Sequence, residues 1–472
     1  MVVVVGGGIA GLACAHRLFE LKKEKGSKFE ILLLEAGSRL GGTLETQKKD
    51  GFLMESGPDA FISEKPAALE LCGCLGIEGR LIETESLNRK SFIARGKKLI
   101  AVPEGFYLTA PTKLWPFFTS PLLSLPGKVR AAMEPLLKSA PPAEDESVGS
   151  FIRRRFGNEM LERVGQAMLA GIYTADPEIL SLRAALPRFA ELEVKYGSVT
   201  RGLKEEARKK DSALKNVRGP RYSLFMSFKE GMQTLTDTIA AKIPSESRRL
   251  GFAVKSLSFD PSAKQWILIS ENGEKLNAEM VCLAIPPQAA SLLTAQIDPD
   301  LSRKLGDIRS ESVVTVNLAY RDSDFLRLPR GFGFVVPASE KRALIACSFS
   351  SNKFSGRAPK GFQLLRAFVG GVFGKKFYDL SDADILTAVR RDLEELLGVS
   401  KEPVFSSLKR HPRSVVQYRL GHLDLVREIR SACEKQDGFF VTGASYRGVG
   451  IPDCVEDAQN QAEQIFKRGQ NA

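Results

Sequence analysis

Three glycines close to the N-terminus have the spacing of a phosphate-binding turn. They lie in the segment Gly6-Gly7-Gly8-Ile9-Ala10-Gly11, between the apolar run Val2–Val5 and a stretch with helical periodicity. The first glycine permits a tight turn, the second lets backbone approach a pyrophosphate, and the third lets a helix pack closely on a strand. Free N–H groups at the helix start attract phosphate. The pattern predicts a dinucleotide-binding domain; the alternative is a glycine turn without a ligand.

A second glycine pair indicates which type of dinucleotide cofactor is bound. Glu35 follows the apolar run FEILLL, where a carboxylate accepts hydrogen bonds from a ribose 2′-hydroxyl and disfavours a 2′-phosphate. The next residues include two adjacent glycines, which a nicotinamide-binding domain does not need. In FAD-binding proteins such glycines let the diphosphate and ribityl chain come close. We therefore predict non-covalent FAD, contacted in this segment by Glu35, Ala36, Arg39, Gly41, Gly42 and Thr43.

Two more segments complete the predicted cofactor site. One is the turn of Gly57, Pro58, Asp59 and Ala60, which follows a short apolar run. The other lies near the C-terminus, where Gly443 ends a strand-like run and a helical stretch follows Gly448, Val449, Gly450 and Ile451. Backbone N–H groups and the helix dipole there would stabilise the negative charge that the flavin pyrimidine gains on reduction. A plain strand-to-helix turn would explain one glycine but not three.

These segments lie far apart in the chain, so the domain that holds them must be discontinuous. We predict an α/β protein. Its Rossmann-like FAD-binding domain is built from residues 1–85, 225–290 and 406–472, and its mixed-sheet substrate-binding domain from 86–103 and 291–405. Residues 104–224 form a helical domain for substrate access or membrane association. Within it, the charged stretch 195–221 is predicted to be a mobile, solvated connector.

Composition limits the class of partner. The 472 residues carry a net charge of +12, which favours an anionic substrate or membrane surface. No basic stripe with interleaved aromatics is present, so nucleic acid is not an expected partner. The 7 cysteines and 3 histidines lack metal-binding spacing, so no metal site is predicted. The start lacks a secretory signal pattern and no run is long and apolar enough to span a bilayer, so we expect a cytoplasmic protein.

Several motifs resemble the oxygen-dependent protoporphyrinogen and coproporphyrinogen oxidases of the FAD-dependent amine oxidase superfamily, in their soluble bacterial branch. They are GPDAFISEK at 57–65, RRRFG at 153–157, GIYTADPEILSL at 171–182 and GVGIPDC at 448–454. The resemblance implies a six-electron oxidation of a porphyrinogen in haem biosynthesis. Three times, a meso carbon would lose hydride to flavin N5, and O2 would reoxidise the flavin and yield hydrogen peroxide. It does not decide between protoporphyrinogen IX and coproporphyrinogen III.

The same resemblance implies roles for single residues. The backbone carbonyl of Gly171 would face the substrate core, and the Val254 backbone would bind adenine. Phe332, Val335 and Phe368 match positions that sandwich the tetrapyrrole. Mitochondrial enzymes hold a propionate with an arginine where this chain has Ser91, so Arg89 and Lys90 just before it are the candidates here.

Two other functions remain open at this point. One is another flavin oxidase of the superfamily, acting on amines or carotenoids. The other is a non-catalytic member of the fold that binds proteins, of the GDP-dissociation-inhibitor type. Further expectations are weak association with anionic membranes, peripheral on the inner face of the cell membrane, hand-off of product to a ferrochelatase, and a homodimer. The apolar, proline-broken segment 105–137, with Trp115 and Tyr107, is either a wall of the substrate domain that packs inward or a surface that enters the headgroup region of a membrane.

Overall fold

The computed structural model describes residues 1–139, 145–214, 223–326 and 328–471. A five-stranded, fully parallel sheet organises the first and last parts of this chain. Its strands, in spatial order, are Arg248–Arg249, Ile31–Leu34, Val2–Val5, Met280–Leu283 and Phe439–Val441. The central strands are continuous apolar runs because helices cover both faces of the sheet. This sheet confirms the predicted Rossmann-like core made from distant segments.

A seven-stranded mixed sheet forms the second large layer. In spatial order its strands are Phe405–Val416, Ser310–Arg321, Phe362–Gly370, Leu344–Phe349, Gly333–Val335, Ser91–Arg95 and Lys98–Ala101. All neighbours are antiparallel except Gly333–Val335 and Ser91–Arg95. One predicted boundary is wrong. Residues 406–416, assigned to the FAD-binding domain, pair instead with Ser310–Arg321 and extend this sheet.

Smaller sheets connect these layers. One has the strands Phe61–Ile62, Phe225–Phe228 and Leu81–Glu83, and another has Val254–Asp260, Gln265–Ser270 and Lys275–Ala278. Two hairpins pair Thr46–Lys49 with Phe52–Glu55, and Phe106–Tyr107 with Ala110–Pro111. The second hairpin interrupts the region 104–224, which the sequence predicted to be mainly helical.

Helices cover the sheets and fill the region between them. The first and last long helices pack together in one apolar cluster, so the two ends of the described chain meet over the parallel sheet. The α-helices are Ile9–Lys25, Ala67–Leu75, Leu114–Thr119, Leu125–Ala132, Val148–Phe156, Asn158–Met160, Gln166–Tyr173, Leu182–Ala185, Pro187–Tyr196, Val199–Leu214, Gln233–Lys242, Pro287–Thr294, Pro299–Asp307, Ser350–Lys353, Gly371–Tyr378, Asp382–Leu397, His422–Lys435 and Ile451–Asn471, with a π-helical turn at Leu161–Gly165.

The predicted connector at 195–221 is largely a helix, Val199–Leu214, whereas 215–221 lies outside the described residues. The fully buried Glu134 caps this helix, accepting hydrogen bonds from the Val199 and Thr200 N–H groups at 3.0 and 3.1 Å. Arg155, 1% exposed, donates to the same carboxylate from Nε at 2.9 Å. Glu134, more than sixty residues away in the chain, therefore stabilises the start of this helix. The charged sequence of the segment does not by itself indicate an ordered helix.

Candidate functional site

The first glycine turn leaves open space beside its helix. Gly6 has φ +109°, and a Cβ there would lie 2.4 Å from the Ala284 carbonyl oxygen. A Cβ at Gly11 would lie 1.8 Å from the Gly6 oxygen, so this helix can approach the strand only without a side chain. At Gly8 no heavy atom lies within 4 Å of the Cβ position. The structure thus confirms the tight turn and the close packing, and it leaves the room at Gly8 that a pyrophosphate needs.

The second glycine pair lies directly against the first turn. The Gly41 N–H donates to the Gly7 carbonyl at 2.8 Å, and a Cβ at Gly42 would lie 3.1 Å from the Gly8 Cα. Arg39 donates to the Gly42 carbonyl at 2.5 Å and to the Leu44 carbonyl at 3.2 Å. The Arg39 guanidinium therefore stabilises the conformation of this loop. This role alone accounts for an arginine here, and the contact of Arg39 with the cofactor stays a prediction.

Glu35 joins the two loops. One carboxylate oxygen accepts the Gly7 N–H at 2.7 Å and the other accepts the Gly37 N–H, also at 2.7 Å. Each oxygen keeps lone pairs for a ribose hydroxyl. The Glu35 carbonyl accepts the Phe252 N–H at 2.9 Å, which brings the start of the Val254–Asp260 strand beside it. Val254 is therefore two residues away from a backbone contact with Glu35, the residue predicted to bind the ribose. The contact of Val254 with adenine stays a prediction.

The turn at Gly57 ties the glycine loops to the seven-stranded sheet. A Cβ at Gly57 would lie 1.9 Å from the Thr43 carbonyl oxygen, so the two backbones touch. Asp59 pairs with Lys353 at 3.0 Å and with Arg366 at 3.4 Å. Burial alone would raise the pKa of the Asp59 carboxyl, but these two cations outweigh it and hold the pKa well below its ordinary value. The Asp59 side chain thus links the Gly57 turn to Lys353 and Arg366. Its predicted contact with the cofactor would then be made by the backbone.

The C-terminal glycines lie beside the N-terminal turn. Gly443 has φ +127°, and its Cβ position is 3.7 Å from the Ala10 Cβ. Its N–H donates to Asp457 at 3.1 Å, and the same buried carboxylate accepts the Thr442 hydroxyl at 2.7 Å and pairs with Arg430 at 2.6 Å. Sequence reasoning missed both Asp457 and Arg430. The available signal for Asp457 was an acidic residue in the second turn of the last helical stretch, close in the chain to Thr442 and Gly443.

Asp453 explains the other two glycines. A Cβ at Gly448 would lie 2.4 Å from its Cγ, and a Cβ at Gly450 would lie 2.8 Å from its Oδ2. Lys65 pairs with this carboxylate at 2.5 Å. The expected reason for these glycines was access to the flavin ring. The immediate structural reason is a carboxylate folded back under the turn, and both Lys65 and Asp453 stood inside the quoted motifs without an assigned role. Val449 is half-buried and Ile451 begins the helix.

Predicted substrate residues meet on one face of the seven-stranded sheet. The pairings Val335 with Ala346 and Ala346 with Phe368 place the two predicted residues in one lateral row, on the face from which Arg366 reaches Gly57. Gly171 closes the row, because its Cβ position is 2.9 Å from the Val335 Cγ1. The structure brings these residues together.

Other predicted substrate residues lie at the margin of this face. Phe332 is half-buried and precedes the strand, and Arg89 and Lys90 are exposed just before Ser91. Sequence reasoning missed Arg366, which is 5% exposed, two residues from Phe368 and stacked on its ring at 4.8 Å. Its period-two spacing from Phe368 was the available signal. Among the described residues, no group of three or more His, Cys, Asp or Glu could hold a metal ion.

Comparison with known proteins supplies the family. The chain is 35% identical over 459 residues to the coproporphyrinogen III oxidase of Bacillus subtilis, covering 97% of this chain and 96% of that one. It is 30% identical to the Staphylococcus aureus coproporphyrinogen III oxidase, covering 98% of each, and 30% identical to the chloroplastic protoporphyrinogen oxidase of Oryza sativa, covering 98% of this chain and 87% of that one.

Solved structures agree with this. A protein described as a protoporphyrinogen oxidase from Exiguobacterium superposes with a TM-score of 0.85 at 29% identity, covering 99% of this chain and 98% of that one. A UDP-galactopyranose mutase matches with a TM-score of 0.71 at 15% identity, which indicates a shared fold alone. The model of the flavin containing amine oxidoreductases matches residues 9–466. The chain therefore belongs to the flavin containing amine oxidoreductase family.

Proposed function

We propose that this protein is a flavin-dependent oxidase that converts a porphyrinogen to the porphyrin, with coproporphyrinogen III as its preferred substrate. The observation that carries the proposal is the likeness over nearly the whole chain to coproporphyrinogen III oxidases, at 35% identity for that of Bacillus subtilis. The protoporphyrinogen oxidase of Oryza sativa is less similar, at 30% identity. Six-electron oxidation with O2 as the acceptor follows from the names of these relatives and from the family.

The glycine loops fit FAD held without a covalent bond. Two features suit the diphosphate: the open space at Gly8 and the close approach of Gly42 to Gly8. The Glu35 carboxylate, whose two oxygens are held by backbone N–H groups, suits the ribose. Cys454, next to the C-terminal glycines, is buried with its Sγ 3.7 Å from the Gly448 carbonyl. A bound flavin supplies two-electron oxidation of the substrate with oxygen as the final acceptor. Acid precipitation should release all of the flavin, and flavin retained in the pellet would contradict non-covalent binding.

The chain's own residues would position the substrate. The helix Gln166–Tyr173 ends two residues after Gly171, so no further helical turn occupies the Gly171 carbonyl. Gln417 donates to the Tyr173 carbonyl at 3.0 Å and fixes this helix end. The apolar row of Val335 and Phe368 offers a flat surface for the macrocycle. Arg366, which is buried beside Phe368, shares the Asp59 carboxylate with Lys353, so these three side chains keep one net positive charge that favours a substrate carrying carboxylates.

Steady-state oxidation of both porphyrinogens tests this function. Porphyrin fluorescence measured with coproporphyrinogen III and with protoporphyrinogen IX should give the higher kcat/KM for the first. Turnover of amines with no porphyrin formation would favour another flavin oxidase of the family. A purified protein without a flavin absorption spectrum, even after incubation with FAD, would favour the non-catalytic alternative.

We also propose that one face of the helical region contacts anionic membranes. Leu125, Val129 and Met133 recur at helical spacing and are 67%, 45% and 45% exposed, and Trp115 and Leu136 nearby are 80% and 77% exposed. This set is named the apolar face. Tyr107, by contrast, is half-buried and Arg188 donates to its hydroxyl, so it does not support a membrane contact. None of the helices within the described residues is long and apolar enough to cross a membrane.

Sedimentation with anionic vesicles tests the apolar face. Binding should be measurable at low salt and should weaken as added salt screens the attraction between the basic protein and the anionic lipid. It should also fall in Trp115→Ser and Leu125→Ser, because each change removes apolar surface from the membrane contact. Leu292→Ser is the matched control, because Leu292 is 80% exposed on the distant helix Pro287–Thr294. Equal loss in the control, or no sedimentation of the wild type, would contradict the proposal.

A further inference from the structure

A cleft lies outside the row of predicted substrate residues. It is bounded by the helices Gln166–Tyr173 and Gly371–Tyr378 and by the loop that joins strands Gly333–Val335 and Leu344–Phe349. About 500 Å³ of it is not filled by protein atoms, part of this being open to solvent. The Gln166 side chain accepts the Ala338 N–H at 2.8 Å and so holds the loop against the first helix. The cleft is thus formed by fixed elements.

The charge of this cleft is positive. Three cations line it, Lys341, Arg342 and Lys376, with no acidic residue among its lining. Arg342 is already compensated, since it pairs with Glu395 at 3.0 Å and Asp392 at 3.4 Å. Both lysines are exposed, and within the described part of the chain neither has a carboxylate at salt-bridge distance. Two lining lysines without a carboxylate partner favour a ligand with at least two negative groups.

The walls of the cleft are apolar and partly aromatic. Ala170, Val336 and Ile345 contribute aliphatic surface, and Phe373 and Phe377 contribute rings. The Phe373 side chain is 42% exposed, so part of its ring is accessible to a ligand in the cleft. Aromatic faces pack well against a flat π-system. The lining therefore suits a planar, apolar ring that carries anionic groups at its edge.

The cleft and the predicted substrate row share a wall. Ala170 precedes Gly171, and Val336 follows Val335, in the two elements that touch where the Gly171 Cβ position is 2.9 Å from Val335. Successive residues of a strand point to opposite faces of a sheet. The cleft thus lies behind the wall rather than inside the site already described.

We propose that this cleft is a second binding site for the porphyrin product, with two carboxylate arms of one edge at Lys341 and Lys376 and the ring against Phe373. This inference rests on the proposed function for the identity of the ligand. The product is planar and aromatic, whereas the porphyrinogen is puckered because its bridging carbons are tetrahedral. A cleft with an exposed phenyl wall therefore selects the oxidised form.

Titration of the flavin-loaded protein with coproporphyrin III tests the site. Soret absorbance and fluorescence should reveal two classes of bound porphyrin in the wild type. The double variant Lys341→Ala/Lys376→Ala should weaken the second class by about tenfold, because each exposed charge pair contributes a few-fold to affinity. Lys375→Ala is the matched control: Lys375 is adjacent, exposed and paired with Asp379 at 2.7 Å, and it does not line the cleft. It should bind like the wild type.

Four results would overturn the proposal: one class of bound porphyrin in the wild type, an unchanged second class in the double variant, equal loss in Lys375→Ala, or displacement by a linear fatty acid as effective as by porphyrin. Phe373→Ser gives a second, charge-independent check and should also weaken the second class. The double variant should still oxidise porphyrinogen at the wild-type initial rate. Absence of porphyrinogen oxidation in the wild type would instead refute the proposed function, so the two failures are distinguishable.

Discussion

Replacing Gly8 by alanine should separate folding from cofactor binding. The backbone at Gly8 has φ −73° and ψ −178°, which alanine adopts without strain, and no heavy atom lies within 4 Å of the new Cβ. The folded apoprotein should therefore gain about 0.4 to 1 kcal/mol of stability, because alanine restricts the unfolded chain. The same methyl group occupies the space left for a pyrophosphate. Overpacking of this kind costs about 1 to 3 kcal/mol, so FAD should bind about 5- to 150-fold more weakly.

Two measurements on Gly8→Ala check this. Urea unfolding of the apoprotein gives the stability, and quenching of flavin fluorescence gives the Kd. Gly11→Ala should behave in the opposite way and unfold at lower urea, because its Cβ would lie 1.8 Å from the Gly6 oxygen. Gly26→Ala, at φ +66° with nothing within 4 Å, should lose about 1 to 2 kcal/mol through backbone strain while FAD affinity is unchanged. Wild-type FAD affinity in Gly8→Ala would refute the reasoning about this turn.

Three further predictions follow from buried charges. Glu134→Gln removes one of the two buried carboxylates that pair with Arg155 and leaves Glu193 at 3.3 Å, so it should lower the free energy of unfolding, measured with urea, by about 1 to 3 kcal/mol. Asp457→Asn should loosen the Thr442–Gly443 turn and weaken FAD binding, measured by flavin fluorescence, more than it lowers the melting temperature. Burial lowers the pKa of the His422 imidazole to about 4. Between pH 6.5 and 4 the unfolded chain therefore binds more protons than the folded protein, so the free energy of unfolding should fall by about 3 kcal/mol as the pH drops through that window. His422→Phe, which keeps an aromatic ring against Tyr418, should flatten this part of the pH profile, and an unchanged slope would contradict the assignment.

The sequence was sufficient where local signals agreed with each other. The helix Asp382–Leu397 begins after Ser381, whose side chain caps it, and such a capping residue before an amphipathic run is a signal that the sequence itself carries. The strand Gln265–Ser270 is buried at every second residue, and this two-residue period is likewise a local signal of a strand. The glycine spacing predicted the tight turn at Gly6 and the close packing at Gly11, because each of these two glycines meets a backbone constraint that the motif encodes.

The sequence was insufficient where order comes from distant residues. The strand Phe405–Val416 is polar and contains Pro412, and it lies at the edge of its sheet, the position in which proline is tolerated. Nothing local in such a segment indicates a strand. The roles of Asp453 and Asp457 depend on how the last helix faces the glycine turns, and only the packed structure reveals this. The cleft at Lys341 and Lys376 likewise joins segments that no motif links.

Aerobic oxidation of coproporphyrinogen III by the purified, FAD-loaded protein is the direct test of the proposed porphyrinogen oxidase activity. Oxygen uptake, hydrogen peroxide and porphyrin fluorescence should be recorded in the same reaction. We expect about three equivalents each of oxygen consumed and peroxide formed per porphyrin, as three two-electron oxidations require. Flavin that stays oxidised when porphyrinogen is added without oxygen, together with no porphyrin above the enzyme-free rate in air, would contradict it.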